Sequence, residues 1–193
     1  MKKLLITGFM PFNGEKINPS WQAVLMLSSQ IGDYELTKML VPVVFEKGAK
    51  AVIEKANELC PDVILCIGQA GGRDAVTPEL VAINLRHAEI PDNEGNHPQD
   101  QPIITNGKNA YFSTIPPRKI ANAINELGIL SKVSYSAGAY VCNDLLYNLL
   151  AYYQNTQVKV GFIHVPYCPE QNKEPSMELS TIASALTTAI ENI

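Results

Sequence analysis

Short apolar runs of strand length alternate with longer amphipathic stretches from one end of the chain to the other. Leu4 to Gly8 is such a run, followed by a Pro/Gly/Asn loop and a helix opening at Asn18-Pro19-Ser20, where proline suits the first turn. Tyr34 to Val44 alternates as a strand and Lys47 to Leu59 carries helical spacing. Val63 to Gly68 is continuously apolar, the pattern of a strand covered on both faces. Leu80 to Arg86 predicts a further strand, Arg118 to Leu127 a helix, Ser131 to Ser136 a strand and Val141 to Tyr153 a helix. Lys159 to Ile163 predicts a buried strand ending on His164, with Pro166 stopping the ladder, and Met177 to Ile193 is the closing helix. This rhythm predicts an α/β protein. The expected architecture is a single three-layer α/β/α domain over residues 1–193, with a mostly parallel, twisted central sheet. No repeat, low-complexity tract or linker divides it.

Composition supports that picture: 193 residues at 46% hydrophobic and 18% charged suffice for a sizeable core. A formal net charge of −4 with scattered basic residues leaves no electrostatic footprint for nucleic acid or an anionic membrane, so neither is expected as a partner. Met1 to Ile6 resembles the start of a signal peptide, but Gly8, Pro11, Asn13 and Gly14 interrupt it. No run approaches the roughly 18 apolar residues of a membrane span, and the expected location is cytoplasmic. The cysteines are Cys60, Cys66, Cys142 and Cys168. Without a Cys-x-x-Cys pair or a secretory context they predict neither a zinc site nor a disulfide framework. Cys60 and Cys66 read as inert thiols; Cys168 has no evident role.

Open parallel sheets bind ligands beyond the carboxyl ends of their strands, and four such segments carry unusual residues. The first, Thr7 to Gly14, places Phe9 and Phe12 on a loop. The second is Gln69-Ala70-Gly71-Gly72-Arg73 followed by Thr77-Pro78-Glu79, and the third is the small-residue turn Ser136 to Asn143, which delivers Cys142 to the first turn of a helix. His164 is the fourth. Free amides and the dipole at a helix start favour negative charge, so Cys142 is expected to ionise more readily than an ordinary thiol of pKa about 8.5. Taken singly, each element has a plain structural reading. Gly71-Gly72 lacks a full Gly-x-Gly-x-x-Gly pattern and is discounted as a nucleotide site. Glu79 alone is a solvated carboxylate, His164 alone a satisfied core histidine, and Phe9 with Phe12 core. Convergence on one crevice changes this: Cys142 as nucleophile, His164 as proton carrier and Glu79 as its orienting carboxylate are the parts of an acyl-transfer site.

At these residues the chain resembles the pyroglutamyl peptidases, also called pyrrolidone-carboxylate peptidases. The matching segments are Ile6-Thr7-Gly8-Phe9 with Pro11-Phe12, Ile17 to Trp21, Gly68 to Arg73, Thr77-Pro78-Glu79, Ile90 to Asn93, Ala137-Gly138 with Tyr140 to Asn143, and Gly161 to Tyr167. The resemblance implies a cysteine peptidase with the triad Cys142, His164 and Glu79, acting on peptides with an N-terminal pyroglutamate. It implies Phe9, Phe12, Tyr140 and Val141 as walls around the lactam ring, with Gln69 as a polar contact. It also implies a cytosolic homo-oligomer, commonly a tetramer, needing no metal or organic cofactor. Asn13 stands where a glycine is usual, a change asparagine tolerates because it accepts positive φ. His87 and Glu89 stand where an acidic residue and an arginine are expected, so any ion pair there is reversed or rebuilt. Asp92 to Gln101 reads as a flap or a subunit-contact loop. Three other readings remain open: a thiol amidase for another small acyl group, a binding module, and a thiol redox sensor built on Cys142.

Overall fold

The computed structural model describes residues 1–193. Its strands are β1 (Lys2–Phe9), β2 (Gln30–Ile31), β3 (Tyr34–Val41), β4 (Val63–Gln69), β5 (Thr77–Pro78), β6 (Val81–Ile83), β7 (Ala110–Phe112) and β8 (Lys159–Val165). Its helices are α1 (Pro19–Met26), α2 (Lys47–Leu59), α3 (Pro117–Glu126), α4 (Val141–Tyr153) and α5 (Leu179–Glu191). The central sheet has six strands in the order β2-β3-β1-β4-β8-β5. The inner four run parallel, and β2 and β5 close the two edges in antiparallel fashion.

Side-chain alternation explains the layers. Leu4 and Ile6 of β1, Val63, Leu65 and Ile67 of β4, and Ile163 and Val165 of β8 face one side, where they pack against α1, α3 and α5. Leu5, Phe9, Ile64, Cys66, Val160 and Phe162 face the other, against α2 and α4. Strands buried on both faces are continuously apolar, which is why β4 and β8 were plain in the sequence. The layers are those expected.

Two predicted strands came out differently. Leu80 to Arg86 does not join the central sheet; only Val81–Ile83 is strand, paired with β7 in a separate two-stranded ribbon. The open edge of β8 is already occupied by β5, a strand of two residues that carries no periodic signal of its own. Ser131 to Ser136 is no regular strand. It runs parallel to β5, with Lys132 N–H donating to Val76 O at 3.2 Å and Ser134 N–H to Pro78 O at 2.9 Å, but forms only isolated bridges. Pro78 has no N–H to continue the ladder. The predicted strand Tyr34 to Val44 ends at Val41, before Pro42, and the closing helix starts at Leu179 rather than Met177.

Within the parallel part, β1 lies between β3 and β4. The chain leaves β1 toward one side and returns on the other, so the crevice beyond the carboxyl ends of β1 and β4 is the topological switch point, the usual ligand position in such sheets. No helix is long and apolar enough to cross a membrane.

Candidate active site

In the β4–β8 ladder Gly68 is paired with His164, so the two residues present the same face of the sheet about 4.8 Å apart. That face is the α4 side, since His164 follows Phe162 by two residues and their rings lie 4.7 Å apart. Gly68 has no side chain there for a reason. A Cβ at that point would stand 2.6 Å from the Phe162 ring and 3.0 Å from Cys142 Sγ. The Phe162 ring and the sulfur of Cys142 thus share the place a side chain would take, on the strand position beside His164.

Cys142 is brought there by α4, whose Val141, Leu145, Leu146 and Leu149 are buried against the sheet. The helix start is pinned by Asn143, fully buried, whose Oδ1 accepts from Ile83 N–H at 3.0 Å while Nδ2 donates to Ile83 O at 2.9 Å and Leu85 O at 3.0 Å. Next to it Asp144 accepts from Arg86 Nε at 2.5 Å and Glu46 N–H at 2.9 Å. Tyr140 caps α4 without a side-chain hydrogen bond, and the N–H groups of Val141, Cys142 and Asn143 meet no acceptor within the protein. Three amides therefore point out of the helix beside the sulfur.

Glu79 arrives from the other edge. It follows β5, is fully buried, and its Oε1 accepts from His164 Nδ1 at 2.7 Å and from Arg73 Nη1 at 2.8 Å. Burial works to raise its pKa, but the hydrogen bond and charge of His164, with the hydrogen bond from Arg73, outweigh it, holding the carboxyl below its ordinary range. Glu79 is thus an acceptor, and the proton on His164 sits on Nδ1, leaving Nε2 as the free nitrogen. Arg73 extends the cluster: Nη1 also donates to Thr77 Oγ1 at 2.6 Å and Nη2 to Ser136 O at 3.0 Å, tying the Glu79 arm to the turn that leads into Cys142. Glu79 Oε2 is buried without a partner in this arrangement, and the Ser134 hydroxyl beside it donates to Ser136 O at 3.1 Å. Turning that hydroxyl would satisfy it.

The expected acidity of Cys142 is not found. Burial pushes its thiol up to about 12, with the charges of Glu79 and Cys66 adding to the rise and Arg73 opposing it. Amides at the helix start favour a thiolate, but the half-buried position of Cys142 against the core and the nearby Glu79 carboxylate oppose a second negative charge there. Cys142 therefore rests as a thiol.

A small apolar notch of about 300 Å³ opens at the switch point beside the sulfur, lined by Phe9, Phe12, Asn18, Val43, Gln69, Tyr140, Val141 and Cys142. Every residue expected as a wall stands there. The Phe12 and Tyr140 rings lie 6.2 Å apart, Phe45 meets Tyr140 edge-on at 5.3 Å, and Tyr140 Oη donates to Pro91 O at 3.1 Å. Sequence reasoning missed Asn18 and Val43 as lining residues, having read the first as a helix start within a segment matching the family and the second as strand. Asn18 does cap α1, accepting from Ser20 N–H at 3.1 Å. A larger polar groove, about 840 Å³, lies behind Phe45 and holds none of Cys142, His164 or Glu79. The departing pair is rebuilt: His87 Nδ1 lies 2.9 Å from Asp100 and Nε2 3.3 Å from Glu89. Asp92 orders the loop after it, accepting from Phe45, Glu94 and Asn96 N–H groups. No group of three or more His, Cys, Asp or Glu side chains is placed to hold a metal ion.

A thiol, an imidazole and a carboxylate gathered at the switch point of an α/β sheet, beside an apolar notch, define the class of cysteine-type hydrolases. The family profile described as pyroglutamyl peptidase matches residues 2–193, and the chain belongs to that family. It is 46% identical over 198 residues to the pyrrolidone-carboxylate peptidase of Bacillus mycoides, covering 99% of this chain and 92% of that protein. The crystal structure of Bacillus amyloliquefaciens pyroglutamyl peptidase I superposes with a TM-score of 0.95 at 44% identity, covering 100% of this chain and 96% of that one. The pyrrolidone carboxyl peptidase of Thermococcus litoralis, at 34% identity, gives a TM-score of 0.94 over 99% of this chain and 92% of that one.

Proposed function

We propose that this protein removes an N-terminal pyroglutamyl group from peptides, with Cys142 as nucleophile, His164 as general base and acid, and Glu79 as the group orienting the imidazole. The observation that carries the reading is the 2.7 Å contact of His164 Nδ1 with Glu79 beside a sulfur seated over Gly68. Because the thiol rests protonated, His164 Nε2 takes its proton as the sulfur attacks the pyroglutamyl carbonyl. The oxyanion formed is met by the free amides at the start of α4. His164 returns the proton to the departing amine, the C–N bond breaks, and a 5-oxoprolyl thioester remains on Cys142. Water deprotonated by His164 then attacks the thioester, freeing pyroglutamate and restoring the thiol.

Phe9, Phe12, Tyr140 and Val141 would hold the lactam ring by apolar contact, and Gln69 would supply polar recognition, consistent with their common place on the notch. The whole chain, residues 1–193, acts in this reading as one catalytic α/β domain in the cytoplasm, assembled as a homotetramer. Purified protein should release the chromophore from a pyroglutamyl arylamide and lose that activity on treatment with iodoacetamide. Absence of turnover in the untreated protein, or turnover by Cys142→Ala, would overturn the reading. A sedimentation mass of a monomer would remove the assembly part alone.

A further inference from the structure

Beyond β8 the chain makes a single 3-10 turn, Pro169–Gln171, that folds back toward β4. The N–H of Cys168 donates to the side chain of Gln171 at 3.2 Å. A backbone N–H can only donate, so the atom it meets is the amide oxygen Oε1, and the other end of that side chain is Nε2. This Nε2 lies 2.9 Å from the side chain of Gln69. A donor there requires an acceptor, so the facing atom of Gln69 is Oε1. The remaining end of Gln69, its NH₂ group, has no hydrogen-bond acceptor in the protein, and Gln69 lines the notch. A side-chain amide is ordinarily ambiguous as to which end is oxygen; here a main-chain N–H decides it through two relayed contacts. Gln171 is buried and Cys168 fully so, which holds the first contact of the relay away from competing water.

We propose that Gln171 is a specificity-positioning residue: through Gln69 it makes the notch present an N–H donor rather than a carbonyl acceptor, selecting rings that carry a carbonyl oxygen at that point. The inference rests on the notch being the pyroglutamyl subsite. It accounts for the discrimination a purely apolar slot cannot make, between a lactam and a ring of equal size bearing CH₂ in place of C=O, since the latter leaves the Gln69 donor unpaired.

The test uses Gln171→Glu and Gln171→Met in the intact protein. A carboxylate at 171 still accepts from Cys168 N–H but repels Gln69 Oε1, turning Gln69 so that its oxygen faces the notch. Methionine keeps length and burial with no hydrogen-bonding group and leaves Gln69 free to rotate. Two small ligands, 2-pyrrolidone and its thiolactam, whose sulfur accepts hydrogen bonds poorly, are compared as competitive inhibitors alongside KM for a pyroglutamyl arylamide. The expected result is a KM raised about tenfold or more and a lactam-to-thiolactam preference reduced about tenfold, larger for glutamate than for methionine. The rate of Cys142 alkylation should stay within about twofold, because the reacting groups are untouched. Wild-type KM and an unchanged ligand preference in a folded Gln171→Met overturn the relay, and this second variant decides if Gln171→Glu does not fold. Failure of the unmodified protein to cleave the arylamide overturns the parent reading instead, and the relay with it.

Discussion

The two walls of the site are held by different forces. Glu79, His164 and Arg73 are fixed by short, directional, charged contacts of 2.7 and 2.8 Å. The notch opposite is formed by Phe9, Phe12, Val43, Tyr140 and Val141, held mainly by packing, with Tyr140 meeting Phe12 at 6.2 Å and Phe45 at 5.3 Å and making one hydrogen bond, to Pro91 O. Charged contacts lose their worth when a partner moves or goes, since the rest is left buried and unpaired. Packed walls yield gradually, because neighbours relax into part of the space. The charged wall should therefore govern kcat and the packed wall KM.

The sharpest break is Cys142→Ser or His164→Ala. Each should lower kcat by about 10⁴-fold or more, and the double variant scarcely further, because members of one unit act non-additively. Losses that multiply in the double variant, measured by steady-state kinetics, would mean the two side chains do not act together. Second comes Arg73→Met, which strips Glu79 of a partner and frees the turn before Cys142. It should destabilise the protein by about 2–3 kcal/mol in urea unfolding, at the low end for a buried pair because the guanidinium reaches solvent, and lower kcat more than it raises KM. Arg73→Lys should restore charge but not the two-way fork.

On the packed side, Phe12→Leu is expected to raise KM a few-fold, a loss of about 1 kcal/mol in burial, with kcat unchanged. A fall in kcat with KM constant would erase the proposed division. The smallest effect is in acid. Glu79 has a folded pKa below its ordinary 4.5, so its contribution to stability is complete above that value and disappears as pH falls through the folded pKa. Glu79→Gln should flatten the stability profile below pH 4.5 and leave it parallel to wild type above, as read by thermal melts. A variant profile as steep in acid as wild type would locate the titration elsewhere.

How much of this was legible depended on whether a residue's role is local. Val63 to Gly68 and Lys159 to Ile163 declare themselves because a strand covered on both faces must be apolar at every position. The helix start that carries Cys142 is equally plain from its small residues and the apolar run after it. The two-residue β5 was not legible, since Thr77 and Pro78 are too few to show a period, and without it the separate β6–β7 ribbon could not be foreseen. Arg73 lay within a quoted motif, yet its reach to Ser136 depends on a turn formed far along the chain. The protonated thiol was mispredicted for a related reason: a helix start is written in the sequence around Cys142, but its packing against the sheet and the Glu79 carboxylate brought near it come from distant parts of the chain. Gln171 gave no signal at all, being one glutamine in a polar stretch.

Gly68 is a bare patch on an otherwise thickly covered strand, and the sulfur rests in it as in a saddle. Adding one methyl group at that spot would collide with the Phe162 ring and press on the nucleophile without altering a single reacting atom. The sheet's hydrogen is thus as much a part of the reagent as the thiol itself, and a survey of chemically reactive side chains alone would pass it by.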